Sequence, residues 1–340
     1  YMLQLDYIID SFSKTKVRKM KPFIRNLLRM SVYQIKYMDA VPDSAVCNEA
    51  VKLAKRHKFA QLSGFVNGVL RNIARNIDSV QLDTLSIRYS MPQWIVDRFV
   101  AAYGEKKAEE IFKAFHNKST ISIRTNLTRC TPDELRATLE AEGVTVTAVD
   151  ELNYAFVISG FDYLNGLQSF RDGLFYVQDI SSMLVAQTAA PKKGDYVIDV
   201  CAAPGGKSTH IAELLQGSGH VLARDLTDNK VDMIEENIER HGLNNMSAEV
   251  WDATVPDADS AGKADILICD LPCSGLGVLG RKKDIRYKMT PESVDELAAL
   301  QRQILDTVHT YVKPNGVLVY STCTVSYTHL RAHETVLDLV

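Results

Sequence analysis

The stretch Tyr196-Val197-Ile198-Asp199-Val200-Cys201-Ala202-Ala203-Pro204-Gly205-Gly206-Lys207-Ser208 decides how the rest of the chain is read. Its first half is a short apolar run with β-branched members, typical of a buried strand. Its second half is a proline–glycine loop, and residues 208–215 continue as a helix. The same rhythm repeats downstream. Strands are expected over 196–201, 220–225, 247–251, 265–269 and 316–320, with helices over 208–215, 228–240 and 291–312. This alternation predicts a doubly wound, mostly parallel sheet with right-handed crossovers. Ligands on such sheets sit beyond the carboxyl ends of the strands, where the loops after each strand converge.

Those loops carry the chemistry. In Cys201-Ala202-Ala203-Pro204-Gly205-Gly206-Lys207 the two glycines let the backbone approach a ligand closely, and the helix start that follows favours a carboxylate. No G-x-G-x-x-G pattern is present, and a Walker A loop fails because position 201 is Cys rather than Gly. Asp225 lies eighteen residues beyond Lys207 at the end of the next strand. It stands where a carboxylate accepts from ribose hydroxyls, or else it starts a helix. Asp252 and Asp270 end the third and fourth strands. Three carboxylates would repel a phosphorylated ligand and suit a cationic sulfonium with an adenine amino group, so S-adenosylmethionine is the expected cofactor. Two cysteines follow apolar runs at the same edge, in Asp270-Leu271-Pro272-Cys273-Ser274 and Ser321-Thr322-Cys323-Thr324. Cysteines often fill small apolar sites. Two of them beside a cofactor cradle fit methyl transfer to a pyrimidine ring better.

With 340 residues, 46% hydrophobic composition and a mean hydropathy of −0.10, two or three folded domains are expected. No apolar run approaches the ~18 residues of a membrane span, and no membrane association is expected. The six cysteines show no zinc-finger spacing, which argues for free thiols in a reducing, cytoplasmic setting and against a metal centre. Cys201 and Cys269 are expected in the core, while Cys47 and Cys130 carry no motif. Tyr1 is not an initiator methionine, so the native start is expected to be missing. The net charge of −3 is uneven: residues 1–84 hold 14 Lys+Arg against 7 Asp+Glu, and the remainder holds 25 against 35. A basic first segment favours a polyanion, or its charges are the wetted faces of ordinary helices.

Residues 1–82 read as a helical bundle. Apolar stripes run through Ile24, Leu28 and Ile35, through Val46, Ala50 and Leu53, and through Phe65, Val69 and Ile73. Residues 83–180 read as a small α+β unit. It has a helix over 94–115, a strand over 121–126 with its polar side chains on one face, and a helix capped by Thr131 with Pro132 in its first turn. Further strands are expected at 156–158 and 174–177. Residues 181–325 form the parallel-sheet domain.

The residues from Asp199 to Lys207, the Pro-Cys motif at 272–273, the stretch from Arg281 to Tyr287 and the Thr-Cys motif at 322–323 together resemble a known family. It is the bacterial small-subunit ribosomal RNA cytosine-5 methyltransferases of the Sun/Fmu type. The resemblance spans nearly the whole chain and implies three domains: an antitermination-factor-like, all-helical RNA-binding domain, a small α+β domain, and a Rossmann-like methyltransferase domain. It implies that Cys323 is the nucleophile that adds to cytosine carbon 6, that Cys273 assists product release, and that Asp270 holds the polar edge of the base. It also implies S-adenosylmethionine as cofactor, held by residues 201–207 with Asp225, Asp252 and Asp270. Small-subunit ribosomal RNA is the implied partner, and a monomer is expected. Arg281, Lys282, Lys283, Arg286 and Lys288 would hold the RNA backbone, with Tyr287 able to stack on a base.

After Val325 the sequence leaves the family pattern, so residues 326–340 are expected to be a foreign or non-native tail. If the tail is native, the alternative is a catalytically impaired RNA-binding or assembly factor that keeps the methyltransferase fold.

Overall fold

The computed structural model describes residues 1–117 and 120–324, so the expected foreign tail lies outside the described residues. By backbone contacts the chain forms two compact units. The first comprises residues 1–117 with 283–288, and the second comprises the rest.

The first unit is helical throughout. Helices Met2–Phe12, Pro22–Tyr37, Asp43–Arg56 and Ser63–Asn76 enclose a core that includes Ile8, Ile24, Leu28, Ala54, Leu70 and Ile73. Each of these helices offers apolar residues three or four apart, so one face is buried and the basic residues stay outside. The single helix expected over 94–115 is two, Gln93–Tyr103 and Glu105–His116. Gly104 separates them at φ 76°, a conformation that ends the first helix and that side-chain-bearing residues avoid.

Among the described residues, the second unit contains two sheets. The smaller has β1 (Ile121–Thr125), β2 (Thr145–Val149), β3 (Leu152–Ser159) and β4 (Phe175–Val177), antiparallel in the order β2-β3-β1-β4. Helix Pro132–Ala141 packs on it and begins with a reciprocal cap: Thr131 accepts from the Glu134 amide and Glu134 accepts from the Thr131 amide. Strand β2 was not anticipated from the sequence. Its Thr-Val-Thr-Ala-Val run buries only Val149, so its alternation shows no buried stripe.

The larger sheet has β5 (Tyr196–Asp199), β6 (His220–Asp225), β7 (Met246–Val250), β8 (Ala264–Asp270) and β9 (Val312–Ser321). All pairs are parallel, in the order β7-β6-β5-β8-β9. On one face helices Ile180–Ala189, Gly206–Leu214 and Asp228–His241 cover Val197, Val221 and Ile268. On the other, Ile304, Leu305 and Val308 of helix Pro291–Val308 cover Ile198, Leu267 and Cys269. Burial on both faces explains why the strand sequences are nearly unbroken apolar runs. The chain reverses direction across the sheet between β5 and β8, which places a crevice beyond their carboxyl ends. The last helix stops at Val308, earlier than expected, and β9 starts earlier, at Val312. A register shift between Ala264 and Ile266, opposite the Pro314-Asn315-Gly316 turn, absorbs the extra residues.

Candidate active site

Strand β5 ends in Asp199, which is fully buried and accepts from Ser208 Oγ at 2.5 Å. Burial pushes its carboxyl up to about 7, against the pull of that hydroxyl. The next residues form the loop that leads into helix Gly206–Leu214. Cys201 is half-buried, and burial, then the neighbouring Asp199 and Asp225 carboxylates, pushes its thiol up to about 12. Ala202 is buried. The Ala203 amide donates to Asp225 Oδ2 at 2.9 Å. The Pro204 carbonyl accepts from Tyr176 OH at 3.1 Å and from Asn237 Nδ2 at 2.9 Å. Gly205 has φ 99°, so this tight turn requires glycine, and Gly206 starts the helix without a side-chain cap.

Lys207 reaches across the crevice, its Nζ 2.5 Å from Asp270 Oδ2. Ser321 Oγ donates to the other oxygen, Asp270 Oδ1, at 2.8 Å. One carboxylate at the end of β8 therefore joins the β5 loop to the end of β9. Spacing along the sequence alone does not reveal this ammonium–carboxylate pair.

The two motif cysteines meet. Cys273 Sγ and Cys323 Sγ are 2.7 Å apart, with Cys323 exposed and Cys273 half-buried. Ser274 Oγ and Thr324 Oγ1 pair beside them at 2.9 Å, and the Gly277 amide donates to the Cys323 carbonyl at 3.1 Å. Behind them, fully buried Gln301 donates from Nε2 to the Pro272 carbonyl at 2.6 Å and accepts from Tyr320 OH at 3.1 Å. Gln301 thus ties the two cysteine loops together from the helix below. The sequence reading missed it because a single polar residue in a helical stripe carries no local signal.

The hydrogen bond from Cys323 lowers the Cys273 thiol to about 7 despite its burial, while the same contact pushes Cys323 upward. The pair gives up its first proton more easily than an ordinary thiol and its second with more difficulty. A cavity of about 250 Å³ opens beside it, lined by Asp179, Ser182, Lys207, Asp270, Cys323 and Thr324, among others. A larger groove of about 770 Å³ runs along β7, but Asp232, Glu235, Glu236 and Glu239 make its wall acidic and it contains none of the residues above.

The remaining carboxylates occupy separate positions. Asp225 is buried at the end of β6, with Oδ1 accepting from the Leu226 amide and from Lys230 Nζ, both at 2.8 Å. Asp252 is exposed just past β7 and accepts from the Thr254 hydroxyl and amide, which holds its carboxyl below the usual range. Cys269 is fully buried in β8, as expected of a core residue.

The reading of Arg286 as an RNA contact is corrected, and the hydroxyl of Tyr287 is engaged within the first unit. Arg286 is buried and donates to the Tyr89 carbonyl, while Tyr287 OH lies 2.9 Å from Ser90 Oγ and donates to the Ser90 carbonyl at 3.0 Å. Both side chains serve the packing of the first unit. Arg281 forms an ion pair with Asp179, and Lys282 and Lys283 are exposed.

A second interaction set missed from sequence supports the helix that follows residues 201–207. The polar face of β1 is buried. Arg124 donates to Gln178 Oε1 at 2.8 Å and to Thr209 Oγ1 at 3.1 Å, and it pairs with Glu213. Thr209 and Glu213 lie on the helix that follows Gly205, so the antiparallel sheet braces that helix through an ion pair whose partners are 1% and 2% exposed.

Comparison with known proteins gives three family matches. Residues 186–336 match the 16S rRNA methyltransferase RsmB/F family, residues 1–75 match the NusB family, and residues 91–161 match the ferredoxin-like domain of RsmF/B-like methyltransferases. The "Probable ribosomal RNA small subunit methyltransferase B" of Bacillus subtilis is 38% identical over 96% of this chain and 74% of its own. The "Ribosomal RNA small subunit methyltransferase B" of Proteus mirabilis is 32% identical over 95% and 76%. The crystal structure of PH0851 superposes with a TM-score of 0.87 at 24% identity, covering all of this chain and 79% of that one, and shares its fold.

The cofactor of this family is S-adenosylmethionine, and the residues present fit it. The uncapped start of helix Gly206–Leu214 leaves amides for its carboxylate. Asp225 sits at the end of β6 with one oxygen shared with Lys230, a side chain 47% exposed and free to move aside. From its sequence motifs, its two sheets and its similarity to the B-type enzymes over most of its length, this chain belongs to the small-subunit ribosomal RNA methyltransferase family.

Proposed function

We propose that this chain methylates carbon 5 of a cytosine in small-subunit ribosomal RNA through a covalent cysteine adduct. The observation that carries this reading is the contact of two thiols from different loops beside Asp270 and Lys207. Carbon 5 of cytosine is a poor nucleophile until a thiolate adds to carbon 6. The Cys273–Cys323 pair supplies that thiolate at neutral pH, because one thiol hydrogen-bonds to the other's negative charge. In this reading Cys323, the exposed member, forms the bond to carbon 6 as its proton passes to Cys273. Asp270, oriented by Ser321 and Lys207, accepts from the amino edge of the base. The cofactor supplies an electrophilic methyl group on a sulfonium. The proton on carbon 5 then leaves to solvent as the carbon 5–carbon 6 double bond re-forms and the Cys323–carbon 6 bond breaks; Cys273 assists this release by sharing its proton with the departing Cys323 thiolate.

Gly205, Gly206 and the other residues of 201–207, with Asp225, Asp252 and Asp270, are assigned to cofactor binding. The target base enters the 250 Å³ cavity after leaving its stack. The basic helical segment 1–82 is assigned to RNA phosphates, a contact that salt weakens. The enzyme is assigned to the cytoplasm, acting as a monomer.

The test is transfer of labelled methyl from S-adenosylmethionine to unmodified small-subunit ribosomal RNA. Wild type should yield 5-methylcytosine. Cys323→Ala should yield none, and Cys273→Ala should accumulate an RNA complex that survives denaturation. Label at another ring position, or full turnover by Cys323→Ala, overturns the assignment.

A further inference from the structure

We infer that Cys273 and Cys323 form a peroxide-sensitive dithiol, which closes reversibly to a disulfide and thereby switches the site off. Four observations meet at this pair. The sulfurs are already in contact at 2.7 Å, although they come from loops fifty residues apart in sequence. Cys323 is exposed and Cys273 half-buried, so a small oxidant reaches them from solvent and from the 250 Å³ cavity. The two loops are held in register from behind by Gln301 and from the side by the Ser274–Thr324 contact, so the sulfurs meet without rearrangement. The hydrogen bond from Cys323 also lowers the Cys273 thiol, against its burial and the nearby Asp270 carboxylate. A thiolate, an accessible site and a second thiol in place to resolve the product are the features of a redox-sensing cysteine pair. The other four thiols lack them. Cys47 and Cys269 are buried, and burial lifts the thiols of Cys130 and Cys201; Cys201 lies near Cys269, but burial pushes both of those thiols up.

The chemistry needs one named oxidant, hydrogen peroxide. The thiolate attacks one peroxide oxygen; the sulfur–oxygen bond forms, the oxygen–oxygen bond breaks, and hydroxide leaves. The partner thiol then attacks the sulfenic sulfur. The sulfur–sulfur bond forms, the sulfur–oxygen bond breaks, and the leaving hydroxide takes the thiol proton as water. Two thiols and one peroxide thus become one disulfide and two waters. In a reducing compartment thiol exchange reverses the step. The loss of turnover rests on the methyltransferase reading above; the closure itself does not.

The experiment treats the full chain with hydrogen peroxide, blocks remaining thiols on denaturation, and reads the peptides by mass. The expected product is a cross-link between the peptides bearing Cys273 and Cys323, two hydrogens lighter than the dithiol, complete before the other four cysteines change. Dithiothreitol should remove it. Methyl transfer and RNA-adduct formation should be lost in step with the cross-link and return with reduction. Cys273→Ala and Cys323→Ala should each form no cross-link and proceed instead to the sulfinic acid on the remaining cysteine. Sulfinic acid in wild type without a cross-link, or oxidation of the buried cysteines at the same rate, overturns the inference. A cross-link in a chain that never methylates RNA would leave the inference standing and remove the proposed function.

Discussion

Replacing Arg124 by methionine isolates a buried charge, and the cost should depend on pH in a defined direction. Arg124 and Glu213 are 1% and 2% exposed, and Arg124 is the charged cation paired with Glu213. His241 Nδ1 is 3.7 Å from Glu213, but burial holds that ring down to about 2, so it stays neutral. Removing one partner of a buried pair costs about 3–5 kcal/mol when the other stays charged. Glu213 has an escape, because it can take up a proton. Burial already lifts its carboxyl from 4.5 to about 7, and loss of the opposing pull of Arg124 lifts it further. The folded variant therefore binds this proton more tightly than the unfolded chain does. Its stability is fullest below the unfolded value of 4.5 and falls as pH rises towards the folded one, by up to about 1.4 kcal/mol per pH unit. Relative to wild type, Arg124→Met should lose about 3–5 kcal/mol at pH 8. At pH 6 it should lose roughly 1–3 kcal/mol, the cost of the hydrogen bonds with Gln178 and Thr209. Scanning calorimetry should show the transition of the second unit lowered by roughly 10 °C at pH 8 and by visibly less at pH 6. The double variant Arg124→Met/Glu213→Met should recover most of the loss. Equal deficits at the two pH values, or a loss under about 1 kcal/mol at pH 8, would refute the reasoning.

Two further substitutions test the supports of the site. Gly205→Ala places a side chain at φ 99°, for a strain of about 1–2 kcal/mol, while its new Cβ meets Ile234 only at an ordinary 3.4 Å. Calorimetric titration should show cofactor binding weakened about tenfold, and unchanged affinity would mean that the loop geometry does not serve the cofactor. Gln301→Leu removes one partner from the Tyr320 hydroxyl and the Gln301 donor from the Pro272 carbonyl, at about 1–3 kcal/mol for the lost carbonyl bond. Adduct formation with RNA should fall while cofactor affinity stays near that of wild type, with Tyr320→Phe milder. Equal losses in both readouts would reduce Gln301 to a general packing residue.

Much of the larger sheet was legible in the sequence because burial on both faces writes strands as short apolar runs between glycine, proline and aspartate. The run at 220–225 was read to the residue. Cys273, Cys323 and Asp270 could be placed at one sheet edge for the same reason: each directly follows such a run. The errors have local causes. Gly104 interrupts an otherwise continuous helical stripe, and the Asn315 turn at φ 65° lies inside what became one long strand. What stayed hidden depends on contacts between distant residues. Arg124 sits in an alternating strand that reads equally well with its polar face wet, and only the fold brings Thr209 and Glu213 beneath it. Arg286 and Tyr287 show the converse, a basic aromatic stretch that reads as a nucleic-acid contact and is in fact tied to Tyr89 and Ser90.

The strand order also sets a timetable for synthesis. Chains emerge from the ribosome amino end first, and their early segments begin to organise before the later ones exist. Here β5, the centre of the sheet, appears first, and β6 and β7 then extend it on one side. The cradle residues 201–207 and Asp225 are all present by the time residue 250 is made. Strands β8 and β9 come later and add to the opposite side, bringing Cys273 and finally Cys323. The exposed thiol of Cys323 is thus translated after strands β5 to β8 and residues 201–207, on the strand that joins the sheet last among the described residues.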